Sequence, residues 1–152
     1  MTGEPIFVDS SVFLSFFIDG VDTFKDLKES ELITSINVAE EVAYVLIKEK
    51  AKNISRIEKH YELLKYLRGN PSFIKNISKE VISDIVTVIE EYDIKVLSPA
   101  PHLLMFKIVE DYGLLPNDAL IAATCKYYGI KRIATLDEDF NRIDFLEVVE
   151  IG

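Results

Sequence analysis

A chain of 152 residues, 49% of them hydrophobic, is long enough to bury a real core in one domain and too apolar to remain disordered. Its formal net charge of −9 disfavours a passive electrostatic binder of nucleic acid, but not an enzyme whose acids hold divalent cations and so reverse the local sign. The single cysteine, Cys125, has no partner for an internal disulfide and reads as packing; no apolar run approaches the roughly 18 residues of a membrane span, and the run Pro5 to Val8 lacks the basic flank of a signal peptide, so the expected location is the cytoplasm.

Ile6-Phe7-Val8 reads as a short buried strand ending at Asp9, after which Ser10 and Ser11 are suited to cap a helix through Val12 to Ile18. Residues 20–31 are polar and charged, which predicts a short exposed helix and a turn. Leu32-Ile33 reads as a second strand, and Asn37 to Lys50, apolar almost all round, as a helix packed on more than one side. Asn53 to Arg68 predicts a charged amphipathic helix broken by Gly69-Asn70-Pro71. In the next helix, Ser78 to Tyr92, the residues Val81, Ile85, Val88 and Ile89 share one stripe.

Ile94 to Leu97 is then a strand closed by Ser98-Pro99, and Pro101 to Tyr112 a helix stopped by Gly113. Asn117 reads as the N-cap of a helix from Asp118 to Tyr128, which Gly129 stops. Arg132 to Leu136 and Leu146 to Ile151 complete the strands. Strands separated by helices predict an α/β sandwich with a largely parallel sheet.

Most of the 26 acids must be solvated, so the informative ones fall where an acid is locally unexpected. Asp9 ends the first strand, Asp118 opens an apolar helix, and Asp137 follows a late strand with Asp139 two residues on. Taken alone, Asp118 is a first-turn acid favouring the helix dipole. Ligands of open α/β sheets bind beyond the carboxyl ends of the strands, which makes Asp9 and Asp137 candidates for one crevice. A further acid lies within "SINVAEEVAYVLI". At about 100° per residue, Val38, Val42, Val45 and Leu46 centre one face, with Glu41 at its edge and Glu40 pointing away. Glu41 is therefore preferred, although a helix buried on several sides can turn either acid inward. Carboxylates gathered from separate segments suit Mg²⁺ or Mn²⁺, which favour oxygen ligands. Without metal, their like charges would raise one another's pKa. With it, they can activate a water and clamp a phosphodiester.

The segments "FVDSSVFLSFF" (Phe7 to Phe17), "NVAEEVAYVL" (Asn37 to Leu46), "LLPNDALIAATC" (Leu114 to Cys125) and "RIATLDEDF" (Arg132 to Phe140) resemble the acidic motifs of PIN-domain nucleases, in that family's order. The resemblance is closest to VapC-type ribonuclease toxins and their archaeal relatives. It implies a three-layer α/β/α sandwich with a mostly parallel sheet, and a Mg²⁺- or Mn²⁺-dependent endoribonuclease acting on RNA. It further implies the toxin of a toxin–antitoxin pair, with an antitoxin partner, a homodimer and no membrane. Carried over by motif, Asp9, Glu41, Asp118 and Asp137 form the catalytic quartet, and Asp9, Asp118, Asp137 and Asp139 the metal set. Ser10, Ser11 and Thr135 match small hydroxyl positions, and Asn117 and Glu40 are further supporting candidates. Glu40 and Glu41 compete for the second acid, Asp137 and Asp139 for the fourth.

Residues 1–152 then form a single nuclease domain with a helical insertion near 53–76, long for a minimal toxin, that would be a dimer surface, a substrate-guiding arm or the mark of another subgroup. His60 and His102 lie outside the motifs, whereas Lys126, Lys131, Arg132 and Arg142 lie near them and are candidates to grip a nucleic-acid backbone. Two other classes compete. An Asp-dependent phosphotransfer domain wants a second aspartate where Ser11 stands, or a receiver's lysine that "ATLDED" lacks. An inactive PIN-like scaffold for protein binding is at odds with the full acid set.

Overall fold

The computed structural model describes residues 4–151. In chain order the elements are β1 (Ile6–Val8), α1 (Ser10–Asp19), β2 (Leu32–Ser35), α2 (Ile36–Ser55), α3 (His60–Gly69), α4 (Pro71–Glu91), β3 (Lys95–Leu97), α5 (His102–Tyr112), α6 (Pro116–Tyr128), β4 (Arg132–Ala134), a 3₁₀ turn (Glu138–Arg142) and β5 (Glu147–Val149). The strands form one all-parallel sheet in the order β3-β2-β1-β4-β5. β1 is central because Ile6, Phe7 and Val8 are all apolar and at most 1% exposed, the pattern of a strand covered on both faces. Phe7 pairs with Ile33 on one side and Ile133 on the other. Helices α1, α2 and α4 pack together, while α5 and α6 pair with each other, which gives the expected helical layer on each face of the sheet. No helix among the described residues is long and apolar enough to cross a membrane.

The topology also locates a crevice. From β1 the chain builds outward through β2 and β3, then returns to β1's other side with β4. The strand order reverses between β1 and β4, and at such a switch point the connections diverge and leave a gap beyond the carboxyl ends. Asp9 and Asp137 follow those two strands.

Several local expectations need correction. Residues 20–31 form turns rather than an exposed helix, and Thr23, Phe24 and Leu27 are buried. Phe24 packs edge-on to Phe13 and Phe16 and stacks on Tyr92 with centroids 4.8 Å apart. The helix expected over Asn53 to Arg68 is two pieces: α2 continues to Ser55, Arg56 adopts a left-handed conformation (φ 64°), and α3 begins at His60. Gly69-Asn70-Pro71 does break the chain, but Pro71 starts α4, seven residues before the expected Ser78. A fixed φ and a missing N–H cost nothing at a first helical position. The ends of α2 and α4 close on α3 through a separate small cluster of Ala51, Leu63, Leu67 and Ile77. Gly113 and Gly129 stop α5 and α6 in left-handed conformations (φ 69° and 71°), as their positions suggest.

Candidate active site

Asp9 is the N-cap residue of α1, yet its side chain makes no capping bond. The carboxylate instead accepts from the Ser11 hydroxyl at 2.8 Å and the Thr135 hydroxyl at 2.7 Å, and only 4% of the residue is exposed. Its backbone N–H donates to the Ala134 carbonyl at 3.0 Å, fastening the end of β1 to the end of β4. Ser11 Oγ also accepts the Leu136 N–H at 2.9 Å, and Thr135 Oγ1 the Asp137 N–H at 3.0 Å. Two hydroxyls thus lash together the loops after the two strands. The expectation that Ser10 and Ser11 cap α1 is overturned, because carboxylates take both hydroxyls, Asp9 that of Ser11 and Glu41 that of Ser10. Ser10 donates to Glu41 Oε2 at 2.6 Å.

Glu41 lies in the second turn of α2, and its other oxygen accepts from Asn117 Nδ2 at 2.5 Å. Glu40 is exposed and makes no side-chain hydrogen bond or ion pair among the described residues. Of the two glutamates, Glu41 is the one held by Ser10 and Asn117. Asn117 is not the helix cap expected for it. The cap position is Leu115, Pro116 is the first helical residue, and the Asn117 amide reaches across to Glu41. Asp118 follows in the first turn, without a capping bond.

Asp118, Asp137 and Asp139 each offer a carboxylate oxygen, all within 4.8 Å of one another. Asp137 and Asp139 therefore do not exclude each other: Asp137 caps the 3₁₀ turn by accepting the Asp139 N–H at 2.9 Å, and that turn brings both acids to Asp118. Asp9 and Glu41 lie outside this trio but close enough to be felt. Burial, then repulsion from Asp137, Asp9, Asp139 and Glu41, pushes the Asp118 carboxyl up to about 6. Burial also raises Asp9, outweighing the bonds from Thr135, Ser11 and the Ser10 backbone, with Glu41 adding to the rise.

The one cation paired with the trio among the described residues is Arg142, which donates to Asp139 Oδ1 at 3.1 Å and to the Gly113 carbonyl at 3.3 Å. Lys126 and Lys131 lie at the end of α6 and the start of β4, and Arg132 begins β4, so all three belong to the amino ends of the strands, opposite the acids. Lys126 sits 4.9 Å above the Phe145 ring. Among the described residues His60 and His102 make no side-chain hydrogen bond or ion pair, and each packs edge-on to a neighbouring ring, Tyr61 and Phe106. Cys125 is fully buried, and burial drives its thiol pKa upward, which suits inert packing.

One neighbour escaped the sequence reading. Asn37, a turn before Glu41, accepts the Ser35 hydroxyl at 2.5 Å, and its buried Nδ2 has no partner. Its place at the head of "NVAEEVAYVL" was the available signal.

Three carboxylates sharing less than 5 Å, with one arginine between them, carry unbalanced negative charge. The donor set is all oxygen, without imidazole or thiolate, which fits a hard divalent cation and argues against zinc or copper.

Comparison with known proteins agrees with this geometry. The family model of the PIN domain matches residues 6–146. Ribonuclease VapC2 of Methanocaldococcus jannaschii is 30% identical over 99% of this chain and 97% of its own length. Ribonuclease VapC6 of the same organism is 31% identical, covering 99% of each chain. The crystal structure of VapBC2 from Rickettsia felis, bound to a DNA fragment from its promoter, superposes with a TM-score of 0.60 over 97% of this chain and 99% of that one, at 14% identity. With an all-parallel sheet, acids at its switch point, and motifs and relatives that span the chain, the protein belongs to the PIN-domain family.

Proposed function

We propose that this protein is an endoribonuclease that hydrolyses RNA phosphodiester bonds with Mg²⁺ or Mn²⁺ held at the switch point of its sheet. The observation that carries the reading is the convergence of Asp118, Asp137 and Asp139 beside the buried Asp9. It is supported by the two relatives named as ribonucleases, which align along almost the whole chain. Asp9, Asp118, Asp137 and Asp139 would hold the cation. When bound, it would activate the attacking water and offset charge gathering on the phosphate. Ser11 and Thr135 fix the Asp9 carboxylate from two sides, while Ser10 and Asn117 do the same for Glu41. No lysine or histidine touches the acids among the described residues, so a proton released there has carboxylates to accept it, with Glu41 the candidate outside the trio. The supporting roles fall to Ser10, Ser11, Asn117 and Thr135, and Glu40 has none.

We read the whole chain as one nuclease unit with residues 53–76 as its helical insertion. It works in the cytoplasm as the toxin of a toxin–antitoxin pair, forms a homodimer and is neutralised by an antitoxin protein. The VapC relatives and the fold shared with VapBC2 support that assignment. The test is cleavage of a mixed RNA pool with Mn²⁺, Mg²⁺ or EDTA. Cutting should require metal and fall at least a hundredfold in Asp118→Asn and tenfold or more in Glu41→Gln, on the scale of about 10²–10³ for losing one transition-state contact. Glu40→Gln should cut normally. Equal activity in wild type and Asp118→Asn would refute the assignment. Metal binding without cleavage of any RNA would leave a protein-binding scaffold instead.

A further inference from the structure

Among the described residues, Arg142 is the one cation paired with the acid trio. Arg142 is committed to Asp139, and Lys126, Lys131 and Arg132 belong to the amino ends of the strands, away from the acids. The positive charge of this chain lies elsewhere. Residues 52–79 carry seven lysines and arginines against two acids, a net +5, which leaves −14 for the remainder of a chain totalling −9. This is the stretch folded as the end of α2, all of α3 and the start of α4, closed by its own cluster around Leu63 and Leu67. None of the seven is in an ion pair among the described residues.

The charge is arranged. Leu63 and Leu67 turn one face of α3 inward, so Tyr61, Lys65 and Arg68 line up on the opposite face at helical spacing. All three are exposed, Tyr61 at 85%, and Lys59 stands exposed beside them. Exposed Lys75 and Lys79 lie one turn apart on α4. Unpaired cations interleaved with an open aromatic ring are the chemistry of a single-stranded nucleic-acid contact, in which charge follows the backbone and a ring stacks on a base. Along α2, Glu41 and Ser55 are about 21 Å apart at the rise of an α-helix, so the arm meets a strand several nucleotides away from the acids.

We propose that α3 and the adjoining ends of α2 and α4 form an RNA-binding arm that grips single-stranded substrate remote from the cleaved bond. The acidic body of a second copy of this chain is the other charge-complementary occupant. The nearly naked Tyr61 ring favours RNA, because it offers a stacking face that a purely ionic protein contact does not need. The proposal rests on the ribonuclease reading for its substrate, but its test does not need catalysis.

Binding of a long unstructured RNA is measured in EDTA across a series of KCl concentrations, for wild type and a Lys59→Gln/Lys65→Gln/Arg68→Gln variant. Cleavage of the same RNA and of a tetranucleotide is then measured with Mn²⁺. The variant should bind the long RNA at least tenfold more weakly, with the slope of log affinity against log salt reduced by about 2, at roughly 0.7 per phosphate contact. Tyr61→Ala should weaken binding several-fold without changing the slope. Cleavage of the tetranucleotide should be unaltered, and a variant with Lys59→Arg and Lys65→Arg should bind like wild type. Unchanged affinity and slope in the glutamine variant would overturn the proposal, as would a wild type that binds no RNA. A change of oligomeric state with RNA binding intact would overturn it in favour of a protein contact. Arm-dependent RNA binding by a protein that cuts nothing would support the arm and count only against the nuclease reading.

Discussion

The hydroxyl of Thr135 makes two bonds at once, donating to buried Asp9 and accepting the Asp137 N–H. Thr135→Val preserves shape but leaves a buried carboxylate short of a donor and a backbone N–H unpaired. Leaving such groups unsatisfied costs about 1–3 kcal/mol. Losing a group that orients metal-holding carboxylates typically costs about 10–100-fold in activity or metal affinity. We expect both losses, read by urea unfolding and RNA cleavage, and recovery of both in Thr135→Ser. If Thr135→Val cuts RNA at the wild-type rate, the hydroxyl does not position Asp9. At this scale Asp9 and Asp118 stood out in the sequence, since each adjoins an apolar run, whereas the doublets Glu40-Glu41 and Asp137/Asp139 stayed open, and the small hydroxyls were suggested by the motifs. Their partners were not. Ser11 and Thr135 are 124 positions apart and Asn117 and Glu41 76 apart, and no local periodicity reports a bond across such separations. Asn117 misled because Pro116 starts the helix one residue earlier, which puts Asn117 inside the first turn and leaves its Nδ2 to donate to Glu41.

Between the residues and the whole lie elements whose formation depends on few side chains. Residues 20–31 hold acids and lysines around Phe24 and Leu27, so average polarity predicted exposure. Burial there is decided by those two apolar residues, both 0% exposed. Phe24 fills the space between α1 and Tyr92 with ring contacts on three sides. Phe24→Ala should therefore destabilise the fold by about 3–5 kcal/mol, the range for removing a buried phenylalanine, with Lys25→Ala as the near-neutral control. Equal denaturation midpoints for the two variants would mean that the segment is as peripheral as its composition suggests. The break between α2 and α3 was hidden for a different reason. Arg56 is left-handed without being glycine, and tertiary closure of Leu63 and Leu67 onto Ala51 selects that turn, which local preference disfavours. By contrast, β1, β2 and the glycine-terminated ends of α5 and α6 were readable because one local rule governs each of them.

For the molecule as a whole, the metal-free fold carries its excess negative charge partly at one edge, and that should be visible in its stability. Asp118 has an ordinary value of 3.8 and about 6 in the folded chain, so between these values the fold binds a proton that the unfolded chain releases. The resulting stabilisation is complete below about 3.8 and is lost as pH rises through about 6; Asp9, also raised, contributes with the same sign. Above that window Asp118 is ionised and available to a divalent cation. A ligand at a hundredfold excess over its Kd stabilises the folded state by about 2.7 kcal/mol. At about 2–4 °C per kcal/mol for a domain of this size, the thermal midpoint should rise by roughly 5–10 °C with Mn²⁺ at pH 7.5, and far less at pH 5, where protons occupy Asp118. Sodium chloride at matched ionic strength should not reproduce the rise. Asp118→Asn should raise the metal-free midpoint at pH 7.5, because a repelled carboxylate is gone, while abolishing most of the Mn²⁺ increment. Those opposite signs separate a site that trades stability for cation binding from an acidic patch that any salt would calm. A variant less stable than wild type without metal, or equally stabilised by Mn²⁺, would show that Asp118 serves its helix rather than a cation.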